Sequence, residues 1–245
     1  MKKLFVLLAV LGFITISAQY AAAQTATPTG DTEQVEMAIH QQLKTKFIEG
    51  GPGFMASILL CLIFGLALAI ERILYLTLSE TNTEKFLPKI DAALKDGGAP
   101  AAMEVCRNTR GPVASIFYQG LSRADQGLEA VEKSVTSYGG VQMTFLEKNL
   151  SWIQLFIAIA PMLGFLGTVV GMVAAFDAIE AAGDISPTVV AGGIKVALIT
   201  TIGGLIVAII LQLFYNYLLS KIEKITVQME DASIALIDML VKYEK

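Results

Sequence analysis

The sequence predicts an all-α membrane protein: three transmembrane helices carrying long helical extensions on the cytoplasmic side. Three observations predict it. Of 245 residues, 54% are hydrophobic and only 16% charged, where a soluble domain carries about a quarter charged residues. Three apolar segments, at 54–78, 150–179 and 189–219, each exceed the roughly 20 helical residues that cross a bilayer core. The polar stretches between and after them repeat apolar residues at spacings of three and four, the period of a helix.

The segment 1–23 opens "MKKLFVLLAV", with two lysines, an apolar stretch and then Ala21, Ala22 and Ala23. That is the pattern of a secretory signal peptide with an A-x-A-like site; an uncleaved first helix is the alternative. In both readings the segment that follows is exported. Residues 24–53 read as a periplasmic linker and a short interfacial helix. Val35, Ile39, Leu43 and Phe47 stand four apart, and "GGPG" at 50–53 ends the helix. Lys44 and Lys46 suit a helix lying on the outer surface of the inner bilayer, although a merely solvated helix has the same pattern.

The first span, 54–78, ends in "ERILYL", so Glu71 and Arg72 mark its inner interface. Lys85, Lys89, Lys95, Arg107, Arg110, Arg123, Lys133 and Lys148 all fall in 79–149, whereas the turn at 180–188 has no Lys or Arg. The positive-inside rule therefore places 79–149 and the tail 220–245 in the cytoplasm, with the turn and the mature N-terminus outside. Within 79–149, Pro88, Pro100 and Pro112 divide the chain into short helices. From 128 onward Leu128, Val131, Val135, Tyr138, Val141 and Phe145 keep helical spacing, so this helix is expected to run on into the second span. The tail repeats the pattern at Ile222, Ile225, Met229, Leu236, Leu240 and Tyr243. Both seams fit packing within one chain or against copies of it.

The composition also excludes functions. A net charge of -4 makes no case for nucleic acid, and two cysteines in unlike surroundings make no disulfide framework. One histidine supplies neither a zinc site nor a histidine-based catalytic set, and there is no P-loop or GxSxG stretch. The reading is a non-enzymatic protein without cofactor or metal.

The candidate site lies in the second and third spans. Counted from the outer ends near Ile179 and Pro187, Thr168 and Thr200 lie roughly 16 to 20 Å deep on antiparallel helices. Thr201 stands beside them, near the middle of the bilayer. Gly164, Gly167 and Gly171 form a smooth face on one helix, next to Pro161, and Gly203 and Gly204 thin the other, as do Gly192 and Gly193. Small residues let membrane helices approach, so the glycines and Pro161 read as packing residues. A membrane threonine commonly bonds its own backbone, yet two at one level on glycine-lined helices also suit a polar ring facing a narrow interior. Lys195 is the one charge well inside the spans: it either snorkels to the surface or pairs with a carboxylate. Glu71, Asp177 and Glu180 all lie near interfaces, so a proton relay here needs an acid from another polypeptide.

"APMLGFLGTVVGMVAAF" followed by "GGIKVALITTIGGLIVAIILQLFYNYL" resembles the MotA/TolQ/ExbB proton-channel family, and most its ExbB branch as found in Bacteroidetes-type bacteria. The resemblance covers about residues 54–245. It implies a helical pentamer in the inner membrane whose second and third spans line a pore. It further implies an ExbD-like single-span partner bringing an essential aspartate into that pore, and proton flow that energises a TonB-like protein for outer-membrane import. Thr168 and Thr200 match the family's pore threonines. At Lys195 the chain departs from it, since many ExbB and TolQ proteins carry a glutamate there; Lys195 is expected to pair with an acid on the partner or a neighbouring subunit. Within the family a TolQ-like envelope role or a gliding or flagellar stator role remains open. A non-conducting membrane scaffold is the reading from another class.

Overall fold

A computed structural model describes residues 39–183 and 187–243. The expected signal peptide and the whole 24–38 stretch lie outside the described residues. The chain divides into two units, 1–42 and 43–245; of the first, only the opening turn of one helix is described.

The described residues form seven α-helices: α1 (Ile39–Glu49), α2 (Pro52–Ser79), α3 (Thr83–Arg107), α4 (Pro112–Leu121), α5 (Leu128–Leu146), α6 (Leu150–Ala182) and α7 (Pro187–Tyr243). A 3-10 turn, Ala124–Gln126, precedes α5. Among the described residues there is no strand. Three of the described stretches are long and apolar enough to cross a membrane: α2, the α5–α6 run and α7. Their large side chains are exposed, with Phe64 at 55%, Phe165 at 67% and Leu213 at 67%. Such a surface needs lipid or another chain to cover it.

Each element has a local cause. Gly51 turns the chain at φ 80° and Pro52 opens α2, where its missing N–H is one that a helix start leaves free anyway. Asn82 caps α3 by accepting from the Lys85 amide at 3.2 Å. Gly98, at φ 66° and ψ -159°, kinks α3, so the expected punctuation by Pro88 and Pro100 takes the form of one kinked helix. Gly111, at φ 116° ahead of Pro112, starts α4. The expected continuation of the 128–148 helix into the second span does not occur. α5 ends at Leu146, Asn149 adopts the left-handed conformation at φ 67°, and α6 restarts at Leu150. Asn is among the few residues that take this conformation readily, and apolar periodicity carries no trace of such a joint.

Along α7 the other spans are registered by close contacts. Going down α2, Gly65 packs on Leu211 and Thr77 accepts from Lys221 Nζ at 2.8 Å, so α2 and α7 run parallel. Glu80 extends this anchor to Lys221 and Lys224. The hydrogen bond from the Lys224 ammonium, first among the causes, holds the Glu80 carboxyl below its ordinary range. α6 runs the other way: Gly171 faces Ala197, Gly164 faces Thr201 and Ala160 faces Gly204. At 57 residues, α7 is about 85 Å long.

Beyond α2, helices α3, α4, α5 and the lower part of α7 form a bundle around Phe86, Ile90, Phe117, Leu121, Ile222, Ile225 and Leu236, each no more than 3% exposed. Phe86 and Phe117 meet with ring centroids 5.3 Å apart. A smaller cluster of Ile58, Cys61, Ala160, Val207 and Leu211 lies among the spans. Arg72 fastens the two regions together. It is 3% exposed, grips both Glu71 oxygens at 2.7 and 2.8 Å, and donates to the Phe145 carbonyl at 3.1 Å. That carbonyl is in the last turn of α5, where a helix leaves its acceptors unsatisfied.

Candidate functional site

Glycines bring α6 and α7 together at backbone distance. A Cβ added at Gly204 would lie 2.5 Å from the Ala160 carbonyl oxygen, and one at Gly164 would lie 3.1 Å from the Thr200 carbonyl oxygen. At Gly167 it would lie 2.5 Å from Thr200 Cγ2, and at Gly171 3.4 Å from the Ala197 Cβ. Gly193 is equally confined against Ala175. Gly203 instead faces α2, where a Cβ would stand 3.2 Å from Met55 Sδ, and Gly192 meets nothing. Pro161 lies within α6, next to the Ala160–Gly204 approach.

The three hydroxyls share one level, since Gly167, the neighbour of Thr168, touches Thr200. Each has an acceptor inside the chain. Thr168 Oγ1 donates to the Phe165 carbonyl at 2.5 Å, and Thr201 Oγ1 crosses the helix pair to the Gly164 carbonyl at 3.2 Å. Thr200 is 1% exposed. Its Oγ1 stands 2.7 Å from the Gly50 carbonyl and 2.8 Å from that of Val196. Within one chain, therefore, Thr168 and Thr201 are partly exposed, whereas Thr200 is covered by the turn that joins α1 to α2.

That turn also sets the level. Gly50 and Gly51 lie against Ile199 and Val196, so the threonines stand beside the start of α2, not its middle. Along α7, Thr200 is about 20 Å from Pro187, and α6 and α7 continue about 20 Å past the first residue of α2.

Lys195 has a partner in its own chain. Its Nζ lies 2.9 Å from Glu49 Oε1, with the lysine side chain 55% exposed and the glutamate 30%. The expected partner is an acid on another polypeptide; within the chain, the acid that meets Lys195 is Glu49. Lys46 Nζ holds the other Glu49 oxygen at 2.8 Å. Hydrogen bonds from Lys46 and then Lys195 keep the Glu49 carboxyl below its ordinary range. Sequence reasoning missed Glu49 because it sought acids within the spans. The available signal was its position directly before "GGPG", the turn that folds it back onto α7.

The geometry defines a multi-pass, all-helical membrane protein with a polar cluster on a close-packed helix pair. Residues 108–231 match the MotA/TolQ/ExbB proton channel family, and the chain belongs to that family. It is 35% identical over 162 residues to a putative biopolymer transport protein ExbB homolog of Methanothermobacter thermautotrophicus, covering 66% of this chain and 57% of that one. A putative biopolymer transport protein ExbB-like 3 of Synechocystis is 25% identical over 156 residues, 63% of this chain and 74% of that one. Biopolymer transport protein exbB1 of Vibrio cholerae is 42% identical over 62 residues, 25% and 27% of the two chains. The chain thus spans little more than half the length of the archaeal relative.

Proposed function

We propose that this chain is an ExbB-like subunit of a proton-driven motor in a bacterial inner membrane. In this reading α6 and α7 of several copies, five by the family resemblance, surround a pore at the level of Thr168, Thr200 and Thr201. An ExbD-like single-span partner brings the titratable aspartate, and proton flow energises a TonB-like protein for outer-membrane transport. The N-terminal part faces the periplasm and the bundle of α3 to α5 the cytoplasm, with Lys and Arg concentrated on the bundle side.

One observation carries the reading: three hydroxyls gather at a single level of a glycine-sealed helix pair, and the carboxylate beside them, Glu49, is already occupied by two lysines. Hydroxyls relay a proton but do not hold its charge, so the conducting acid comes from elsewhere. The relatives' names, biopolymer transport proteins, agree with an energising role.

The backbone bonds of all three hydroxyls also suit a scaffold in which the threonines only pack. The two readings separate in cells carrying Thr168→Val and Thr200→Val, with assembly followed on native gels. A proton motor loses proton-dependent import while the complex stays intact. A scaffold keeps both, and unchanged import would overturn the motor reading at these residues.

A further inference from the structure

We infer that Glu49 is a positioning residue for Thr200: its ion pair with Lys195 holds the Gly50 carbonyl over the Thr200 hydroxyl and keeps that hydroxyl covered. The inference concerns the fold of this one chain and needs no ion flow, so it stands or falls apart from the motor reading.

Two polar contacts tie the end of α1 to α7, and they are neighbours on one side and five positions apart on the other. Glu49 meets Lys195 at 2.9 Å, and Gly50 O meets Thr200 Oγ1 at 2.7 Å. Lys195 and Thr200 are separated by more than one turn of α7. A single contact would let the α1–α2 turn pivot about it, whereas two at different heights resist both pivoting and sliding. Gly50 is buried and fits closely: a Cβ there would stand 2.8 Å from Ile199 Cγ2 and 3.2 Å from the Lys46 carbonyl oxygen. Gly51 supplies the φ of 80° at the turn between α1 and α2.

Thr200 has one proton and two acceptors within reach, Gly50 O and Val196 O. A hydroxyl donates to one acceptor at a time. With the turn seated, the Gly50 carbonyl competes for that proton and the backbone above Thr200 shuts out other ligands. With the turn released, the hydroxyl keeps the Val196 carbonyl as its helix-internal acceptor, and its other side is open. The charged groups holding Glu49 in place are Lys46 from its own helix and Lys195 from α7. Only the second reaches across.

Hydrogen exchange on the full-length protein in lipid nanodiscs tests this, read at the amides of residues 43–51 with those of 160–170 as an internal reference. Glu49→Gln and Lys195→Gln should each speed exchange of 43–51 about two- to fivefold, the scale of a partly exposed ion pair. Lys46→Gln should leave it within about twofold, inside the range of an exposed helix pair. The reversed pair Glu49→Lys with Lys195→Glu should return exchange to the wild-type rate. Thr200→Val should speed the same amides, and adding Glu49→Gln to it should give less than the product of the two effects, since both release one turn. Thr200→Ser should not. Silence of either Gln variant, an equal effect of Lys46→Gln, or full additivity with Thr200→Val would overturn the inference. If the reversed pair does not fold, the single variants and the additivity measurement still decide.

Discussion

Thr200 fills the space that a side chain at Gly167 would need: a Cβ there would sit 2.5 Å from Thr200 Cγ2 and 3.0 Å from its Cβ. Threonine and glycine are thus a matched pair across the α6–α7 seam, as are Gly204 and Ala160. Gly167→Ala and Gly204→Ala should each destabilise the folded protein by about 1–3 kcal/mol, the usual range for overpacking. Gly192→Ala, which meets open space, should be neutral or slightly stabilising through helix propensity. Thermal unfolding in detergent, followed by circular dichroism, ranks the three.

Arg72 should resist conservative replacement. Its fork holds both Glu71 oxygens and the Phe145 carbonyl while the guanidinium stacks 4.4 Å from the Tyr75 ring. Lysine has a point charge and no planar fork. Arg72→Lys and Arg72→Met should both release the end of α5, at about 1 kcal/mol for a lost part-buried hydrogen bond. Faster hydrogen exchange confined to residues 143–150 would locate the effect; uniform acceleration along the chain would contradict it.

The far end of α7 should loosen in acid. The Tyr243 hydroxyl, then Lys95, hold the Asp91 carboxyl below its ordinary range. A carboxyl lowered in the folded state contributes stability that is complete above its unfolded value of about 3.9 and is lost as pH falls through the folded value. The protection factors of the amides at 236–243, corrected for intrinsic exchange, should therefore be flat above about pH 5 and fall below about pH 4. Asp91→Asn should remove that pH dependence and give the lower protection throughout.

Cys106 should be inert at neutral pH and a liability in base. It is 3% exposed, and burial pushes its thiol up to about 12. A pKa raised in the folded state gives stability that is complete below the unfolded value of about 8.5 and declines as pH rises toward the folded one. Maleimide labelling at pH 7 should be slow until the protein is unfolded. Cys106→Ala should flatten the loss of stability between about pH 9 and 11.

The span positions and the small-residue seam of α6 and α7 were legible because both are local patterns: a long apolar run, or Gly at helical spacing as in Gly164, Gly167 and Gly171. Contacts made by distant residues were not. Glu49 and Lys195 are brought together by a glycine-enabled turn, and no periodicity relates positions so far apart. Arg72 read as an interface marker, and nothing in "ERILYL" predicts that it reaches a carbonyl in α5. The α5–α6 joint was hidden for a different reason. Helical spacing continues through it, and only Asn149 betrays the change of backbone. Thr168 and Thr200 were found as residues and placed level with each other, while the cover over Thr200 depended on the fold of the α1–α2 turn.

α5 and α6 meet at a joint, Glu147 to Asn149, whereas α7 runs beside both without interruption. The pair is a jointed strut lying along a single rod. The break between the bundle and the spans therefore falls in the strut alone, beside the α5 carbonyl that Arg72 ties to α2. Thr200 and Thr201 are on the rod and Thr168 on the strut, so the hydroxyl cluster is shared between the continuous helix and the interrupted one.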